Sequence, residues 1–107
     1  MPLIDFYILV NKIPTKTRDR KAWSEFLANT EGIVKSENIG NIKISTVFLG
    51  IDTSYGLAQY PQCFETMVFG GNFDKHQERY SSWDEALHGH QSIVRKVKAS
   101  FFKTKDI

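Results

Sequence analysis

Cysteine occurs once in this chain of 107 residues, at Cys63. A disulfide within the chain is therefore impossible, and a cysteine-based zinc site lacks its ligands. A lone thiol suits a reducing compartment. Long apolar runs are absent as well. None approaches the ~20 residues that a membrane span needs, so no membrane partner is expected. The opening Met1-Pro2-Leu3-Ile4-Asp5-Phe6 lacks the basic and continuous apolar regions of a signal peptide. The expected location is cytoplasmic. Charge of one sign is scarce too: 14 Lys+Arg against 12 Asp+Glu leave a net +2. That is too little to imply nucleic acid by itself. The patterns G-x-x-x-x-G-K, G-x-G-x-x-G, G-x-S-x-G and H-E-x-x-H do not occur. P-loop hydrolysis, dinucleotide oxidoreduction and zincin proteolysis thus lose their usual support, and no cofactor or metal is expected.

What remains is the composition of one globular domain over residues 1–107. Hydrophobic residues make up 41%, charged residues 24% and aromatics 13%, with eight Phe. Such a composition excludes disordered, collagen-like and repeat proteins. Residues 4–10 read as a strand, being β-branched and aromatic. A basic loop follows. Thr17 or Asp19 can cap a helix running to about Asn29, with Ala22, Trp23, Phe26 and Leu27 on one face. Residues 33–39 and 42–50 read as a hairpin turning at Gly40-Asn41. Ile42, Ile44, Thr46 and Phe48 share one face of its second strand. Residues 50–62 form a long loop with Gly50, Asp52, Ser54, Gly56 and Pro61. Phe64 to Phe69 is a strand ended by Gly70-Gly71-Asn72, and a short strand is expected near Glu78 to Tyr80. Ser82-Trp83-Asp84-Glu85 matches a capping box. From Trp83 onward, Ala86, Leu87, His90, Ile93, Val94, Val97 and Phe101 recur at helical spacing over about 20 residues. The order β-α-β-β-β-(β)-α predicts an α+β fold with a mostly antiparallel sheet of four to five strands and two helices.

Several polar residues are candidates for chemistry. Asp52, in a Gly-flanked loop past a strand end, could bind a metal, act as a base or accept from a ligand; its bland alternative is an Asx-turn. Glu65 interrupts an apolar strand, so it needs a partner or a raised pKa. It is either an acid/base or ligand group, or an ion-pair partner of Arg79. His90 falls on the apolar stripe of the last helix, either hydrogen-bonded at the core edge or meeting a ligand or Asp52. His88 and His90 diverge by ~200° on a helix and do not chelate one ion. Gly89 inside a helix costs up to ~1 kcal/mol, which points to close approach of another group. Tyr55, Tyr60 and Phe73 are loop aromatics that either stack on bases or anchor a protein partner, or else pack against the sheet edge. Gly70 and Gly71 offer backbone N–H groups, and Arg79 a guanidinium, to a phosphate. Two basic stretches, from Lys12 to Lys21 and from Arg95 to Lys105, either meet as one patch or are two solvated faces.

Two segments carry a resemblance: Ile44-Ser-Thr-Val-Phe-Leu-Gly-Ile-Asp52 through Tyr55-Gly56, and Phe64-Glu-Thr-Met-Val-Phe-Gly-Gly71. Arg79-Tyr-Ser-Ser-Trp-Asp-Glu-Ala86 and Gly89-His90 follow them. Over about residues 33–94 the chain resembles a family of small uncharacterised proteins of tailed bacteriophages and prophages. The family pattern often carries a His directly after the Asp, where this chain has Thr53. The resemblance implies a phage-encoded cytoplasmic protein and no particular reaction.

Three functions follow as expectations. The first is a binding or regulatory protein, acting against a host defence system through an effector protein or a nucleotide-type ligand. Its site residues would be Asp52, Tyr55, Glu65, Gly70, Gly71, Arg79 and His90. The second is a small hydrolase of phosphoester or glycosidic bonds using Asp52, Glu65 and His90, which requires those three to converge. The third is a structural, assembly or DNA-associated phage component, which predicts a homo-oligomer or salt-dependent nucleic-acid binding.

Overall fold

The computed structural model describes residues 5–29 and 32–105, with side chains described as far as Phe101. Ile4 at the head of the first expected strand, and the side chains of Lys103 and Lys105, lie outside the described residues. The elements are β1 (Phe6–Val10), β2 (Ile13–Thr17), α1 (Arg20–Leu27), β3 (Ile33–Ile39), β4 (Ile42–Phe48), β5 (Phe64–Phe69), β6 (Gln77–Tyr80) and α2 (Trp83–Lys105). Strands β3 to β6 form a four-stranded antiparallel sheet in sequential order; β1 and β2 form a separate two-stranded ribbon. The chain is α+β, as the periodicities predict.

One strand differs from expectation. Residues 13–17, expected as a basic loop, are β2. Asn11 and Lys12 both take positive φ, 51° and 66°, which makes a two-residue turn whose twist suits a hairpin. Pro14 is tolerated because, among the described residues, β2 pairs on one side only. Helix α1 starts where expected, with Asp19 accepting from the N–H groups of Lys21 and Ala22, both at 3.1 Å. It ends at Leu27, short of Asn29.

The ribbon and α1 are tied to the start of the 50–62 loop. Tyr7 N–H donates to the Gly50 carbonyl at 2.8 Å, and Trp23 Nε1–H donates to the same oxygen at 3.0 Å. Trp23 also stacks on Phe6, with ring centroids 4.3 Å apart. Gly50 has φ +77°, and a Cβ there would lie 2.6 Å from Trp23 Nε1, so only glycine fits.

Helix α2 crosses the face of the sheet that carries Ile42, Ile44, Thr46 and Phe48 on β4 and Phe64, Thr66 and Val68 on β5. Its start is capped by Ser82, whose Oγ accepts from Glu85 N–H at 3.1 Å. The Glu85 carboxylate accepts in turn from the hydroxyls of Ser81 and Ser82. Two apolar clusters result. One joins Tyr7, Phe48, Cys63, Phe64, Tyr80 and Ala86. The other joins Ile42, Ile44, Val68, Ile93, Val94 and Val97. Between them, in sequence position on all three elements, lies a polar layer: Thr46, Thr66 and His90, each 0% exposed. The opposite face of the sheet carries Lys43, Ser45, Val47, Glu65, Met67, Phe69 and Arg79, of which Lys43, Phe69 and Arg79 are exposed.

Candidate functional site

Asp52 organises the 50–62 loop. Its Oδ1 accepts from Ser54 N–H at 2.9 Å, Ser54 Oγ–H at 2.7 Å and Gln62 N–H at 2.9 Å; its Oδ2 accepts from Gly56 N–H at 3.0 Å. The Thr53 hydroxyl and N–H both donate to the Gln62 carbonyl, at 2.7 and 3.0 Å. The Asx-turn reading therefore extends to the whole loop, whose two ends are clamped together. Burial would raise the Asp52 pKa, but the Gln62 and Ser54 donors outweigh it and hold the carboxyl below the usual range. A carboxylate already accepting four hydrogen bonds is a poor proton acceptor. What the clamp presents is apolar: Tyr55, Leu57 and Tyr60 are 88, 91 and 61% exposed. Tyr55 also sits in the left-handed region at φ 54°.

Glu65 and Arg79 are cross-strand partners on β5 and β6 and form an ion pair, Nε to Oε2 at 3.1 Å. Both lie on the sheet face away from α2. His90 lies between the sheet and α2, with Nδ1 2.7 Å from Thr46 Oγ1 and Nε2 2.8 Å from Glu37 Oε1. It is buried outright rather than at the core edge, because Glu37 and Thr46 satisfy both ring nitrogens. Thr46 Oγ1 is 2.5 Å from Thr66 Oγ1. The Tyr80 phenol donates to Glu78 Oε2 at 3.2 Å. The chain Glu37–His90–Thr46–Thr66 thus runs under the helix from β3 to β5. Asp52, Glu65 and His90 do not converge: one clamps a loop, one is on the far face of the sheet, and one is sealed in the core. A hydrolytic site through these three has no common cleft.

The phosphate-binding arrangement does not assemble either. Gly70 N–H donates to Asp74 Oδ1 at 2.7 Å, so a carboxylate already occupies the position an anion would take. Gly70 is five residues along β5 from Glu65, or about 17 Å from the Arg79 row at the rise of a strand. Gly70 and Gly71 line, with Ile42, Phe73, Val97 and Phe101, a groove of about 240 Å³. That is below the roughly 300–1,000 Å³ of typical ligand sites. Cys63 is fully buried, and burial pushes its thiol up to about 12, an unreactive state. Of the two basic stretches, Lys12 and Arg95 stand apart. Lys12 lies over the Trp83 ring at the start of α2, 5.1 Å from its centroid. Arg95 is 12 residues further along α2, about 18 Å by the helical rise. Among the described residues, no group of three His, Cys, Asp or Glu could hold a metal ion, and no helix is long and apolar enough to cross a membrane.

No family model matches the chain, and no curated protein or solved structure matches it either. Geometry therefore carries the functional reading. Sequence reasoning passed over Glu37, Thr46 and Thr66 as partners of His90. The available signal was Thr46 among Ile42, Ile44 and Phe48 on one face, and Thr66 between Phe64 and Val68. Each places a hydroxyl in an apolar row, where it needs a partner.

The two engaged carboxylates set an acid limit. The His90 hydrogen bond lowers the Glu37 pKa from its ordinary 4.5; burial opposes this and Lys35 assists it. Asp52 is likewise lowered from 3.8. Both are more acidic folded than unfolded, so the ionised forms favour the folded state. Their contribution is complete above the ordinary carboxyl range and is lost as pH falls through the lower, folded values. Thermal melts followed by circular dichroism should be flat from pH 7 to about 5 and fall steeply below about 4.5. The Asp52→Asn variant should lose part of that acid slope; an unchanged slope would contradict the clamp.

Proposed function

We propose that the chain is a phage-encoded cytoplasmic binding protein that acts by occupying a host protein through its 50–62 loop. The observation that carries this reading is the loop itself: Tyr55, Leu57 and Tyr60 stand out in water on a backbone clamped by Asp52, Thr53 and Ser54. Large apolar side chains on a rigid loop gain by burial in a partner and lose little conformational entropy there. The positive φ at Tyr55 is held by the same hydrogen bonds, as at other functional loops. Residues 50–62 carry one charged side chain, Asp52, and it is turned into the loop. The presented surface is therefore uncharged, which favours an apolar cleft on a protein over nucleic acid. Beside it Tyr60 and Pro61 line, with Pro14, a recess of about 370 Å³.

The test is pull-down from a bacterial host lysate with wild type, Tyr55→Ala/Leu57→Ala and the control Phe69→Ser on the far sheet face. Because Tyr55 and Leu57 touch so little of the fold, the double variant should unfold within about 0.5 kcal/mol of wild type. A host protein retained by wild type and the control, and lost with the double variant, supports the reading. Capture that is identical for all three chains, or absent for all, overturns it.

A further inference from the structure

The sheet ends on one side at β3, whose outer edge pairs with no other strand among the described residues. An open edge is a template for another strand, and proteins defend such edges with charges and bulges. β3 has both: an irregularity between Ile33 and Lys35, and the charged pair Lys35 and Glu37. The charges, however, are self-complementary about Ser36. We infer that two copies of this chain pair through antiparallel β3 strands with Ser36 on the twofold axis.

Three features of β3 converge on that register. The two-residue turn at Gly40-Asn41 makes Ile39 and Ile42 a hydrogen-bonded pair, and the bonding alternates from there. Glu37 and Lys35 thus turn their backbone groups toward β4, while Asn38 and Ser36 turn theirs outward. Ser36 on the axis can exchange both of its bonds with its counterpart. Its side chain is small and exposed, so two can face each other across the axis. Next to it, Lys35 comes opposite Glu37 of the second copy, and Glu37 opposite its Lys35, at cross-strand spacing on the helix side. Both side chains are reachable, at 40 and 31% exposure. Glu37 Oε1 already receives His90 Nε2 and Lys35 Nζ, and its second oxygen has no partner among the described residues. A slip of two residues either way sets Glu37 against Glu37 or Lys35 against Lys35. The charge pattern therefore selects one register and one partner, a second copy, and disfavours unrelated strands.

The test is sedimentation velocity over a concentration series, together with cross-linking. Wild type should show a reversible species of twice the chain mass, weakened by salt. Lys35→Glu should lower the association constant roughly tenfold or more, since both reciprocal pairs become repulsive. Mixing Lys35→Glu with Glu37→Lys should restore association. Glu37→Lys also removes the acceptor of His90 and can fail to fold, so a second measurement stands apart from it. Ser36→Cys places its sulfur on the axis, where a Cα separation of about 5.5 Å suits a disulfide. Asn38→Cys lies two residues off the axis and does not meet its own copy. Buried Cys63 adds no background. Mild oxidation should yield covalent dimer from Ser36→Cys several-fold above Asn38→Cys. A wild type that stays monomeric throughout, equal cross-linking of the two cysteine variants, or a dimer indifferent to Lys35→Glu would each overturn the pairing.

Discussion

Replacing His90 with alanine should destabilise the protein by about 3 kcal/mol, read as a shift in the urea midpoint. Part of the loss is a cavity, because the imidazole is 0% exposed between two apolar clusters. The rest is polar. Glu37 is held ionised, so its oxygen accepts from Nε2–H, and Nδ1 shares a hydrogen bond with the Thr46 hydroxyl 2.7 Å away. Removing the ring strands that hydroxyl, which keeps only Thr66. His90→Leu restores most of the volume and none of the bonds, so it should recover only part of the loss. A double-mutant cycle with Thr46→Val isolates the polar share, and the coupling should be at least about 1 kcal/mol. His90→Ala should also flatten the acid limb of the stability profile. Without its main hydrogen bond, the Glu37 pKa returns toward 4.5, and less stability is lost as the pH falls. A cost below about 1 kcal/mol for His90→Ala would show that the buried chain contributes nothing of its own.

Gly89→Ala should lower stability by about 2 kcal/mol, the opposite of what the same change does on an open helix. Alanine normally improves a helix interior by up to ~1 kcal/mol over glycine. Here a Cβ would fall 2.2 Å from Tyr80 Cε1 and 2.3 Å from both Cζ and Oη. The ring cannot step aside freely, because its phenol donates to Glu78 and the residue is 9% exposed. Tyr80→Ala removes the obstacle. In that background Gly89→Ala should become stabilising by up to ~1 kcal/mol. The reversal of sign separates a steric cause from a loss of helix flexibility. If Gly89→Ala destabilises equally with and without the Tyr80 ring, the contact is not the reason for the glycine.

Gly89 also shows how far sequence reasoning reaches. A glycine within an apolar-periodic helix announces that something approaches closely, but not what. The approaching group is a tyrosine from β6, placed there by the pairing of Phe64 with Tyr80. The Glu65–Arg79 pair was legible because residues one strand apart in a meander are easily matched by register. Strand β2 was not, since Lys12 in a left-handed turn and Pro14 in a strand both contradict local propensity.

By itself, the sequence determined the class of fold, the face of β4 that is buried and the capping box at Ser82, and it narrowed the first cap to Thr17 or Asp19 and Asp52 to an Asx-turn or a reactive group. Those features rest on local periodicity and on hydrogen bonds between residues a few positions apart. The tertiary structure alone decided which candidates share a site. Glu37 and His90 are 53 positions apart and Thr46 and His90 are 44 apart, so nothing local records their contact. It also separated Asp52, Glu65 and His90: successive residues of a strand point to opposite faces, so Glu65 faces away from the α2 side where His90 is buried, and Asp52 is held in the loop. The same folding left Tyr55, Leu57 and Tyr60 in water, where hydrophobicity alone would have counted Leu57 toward the core.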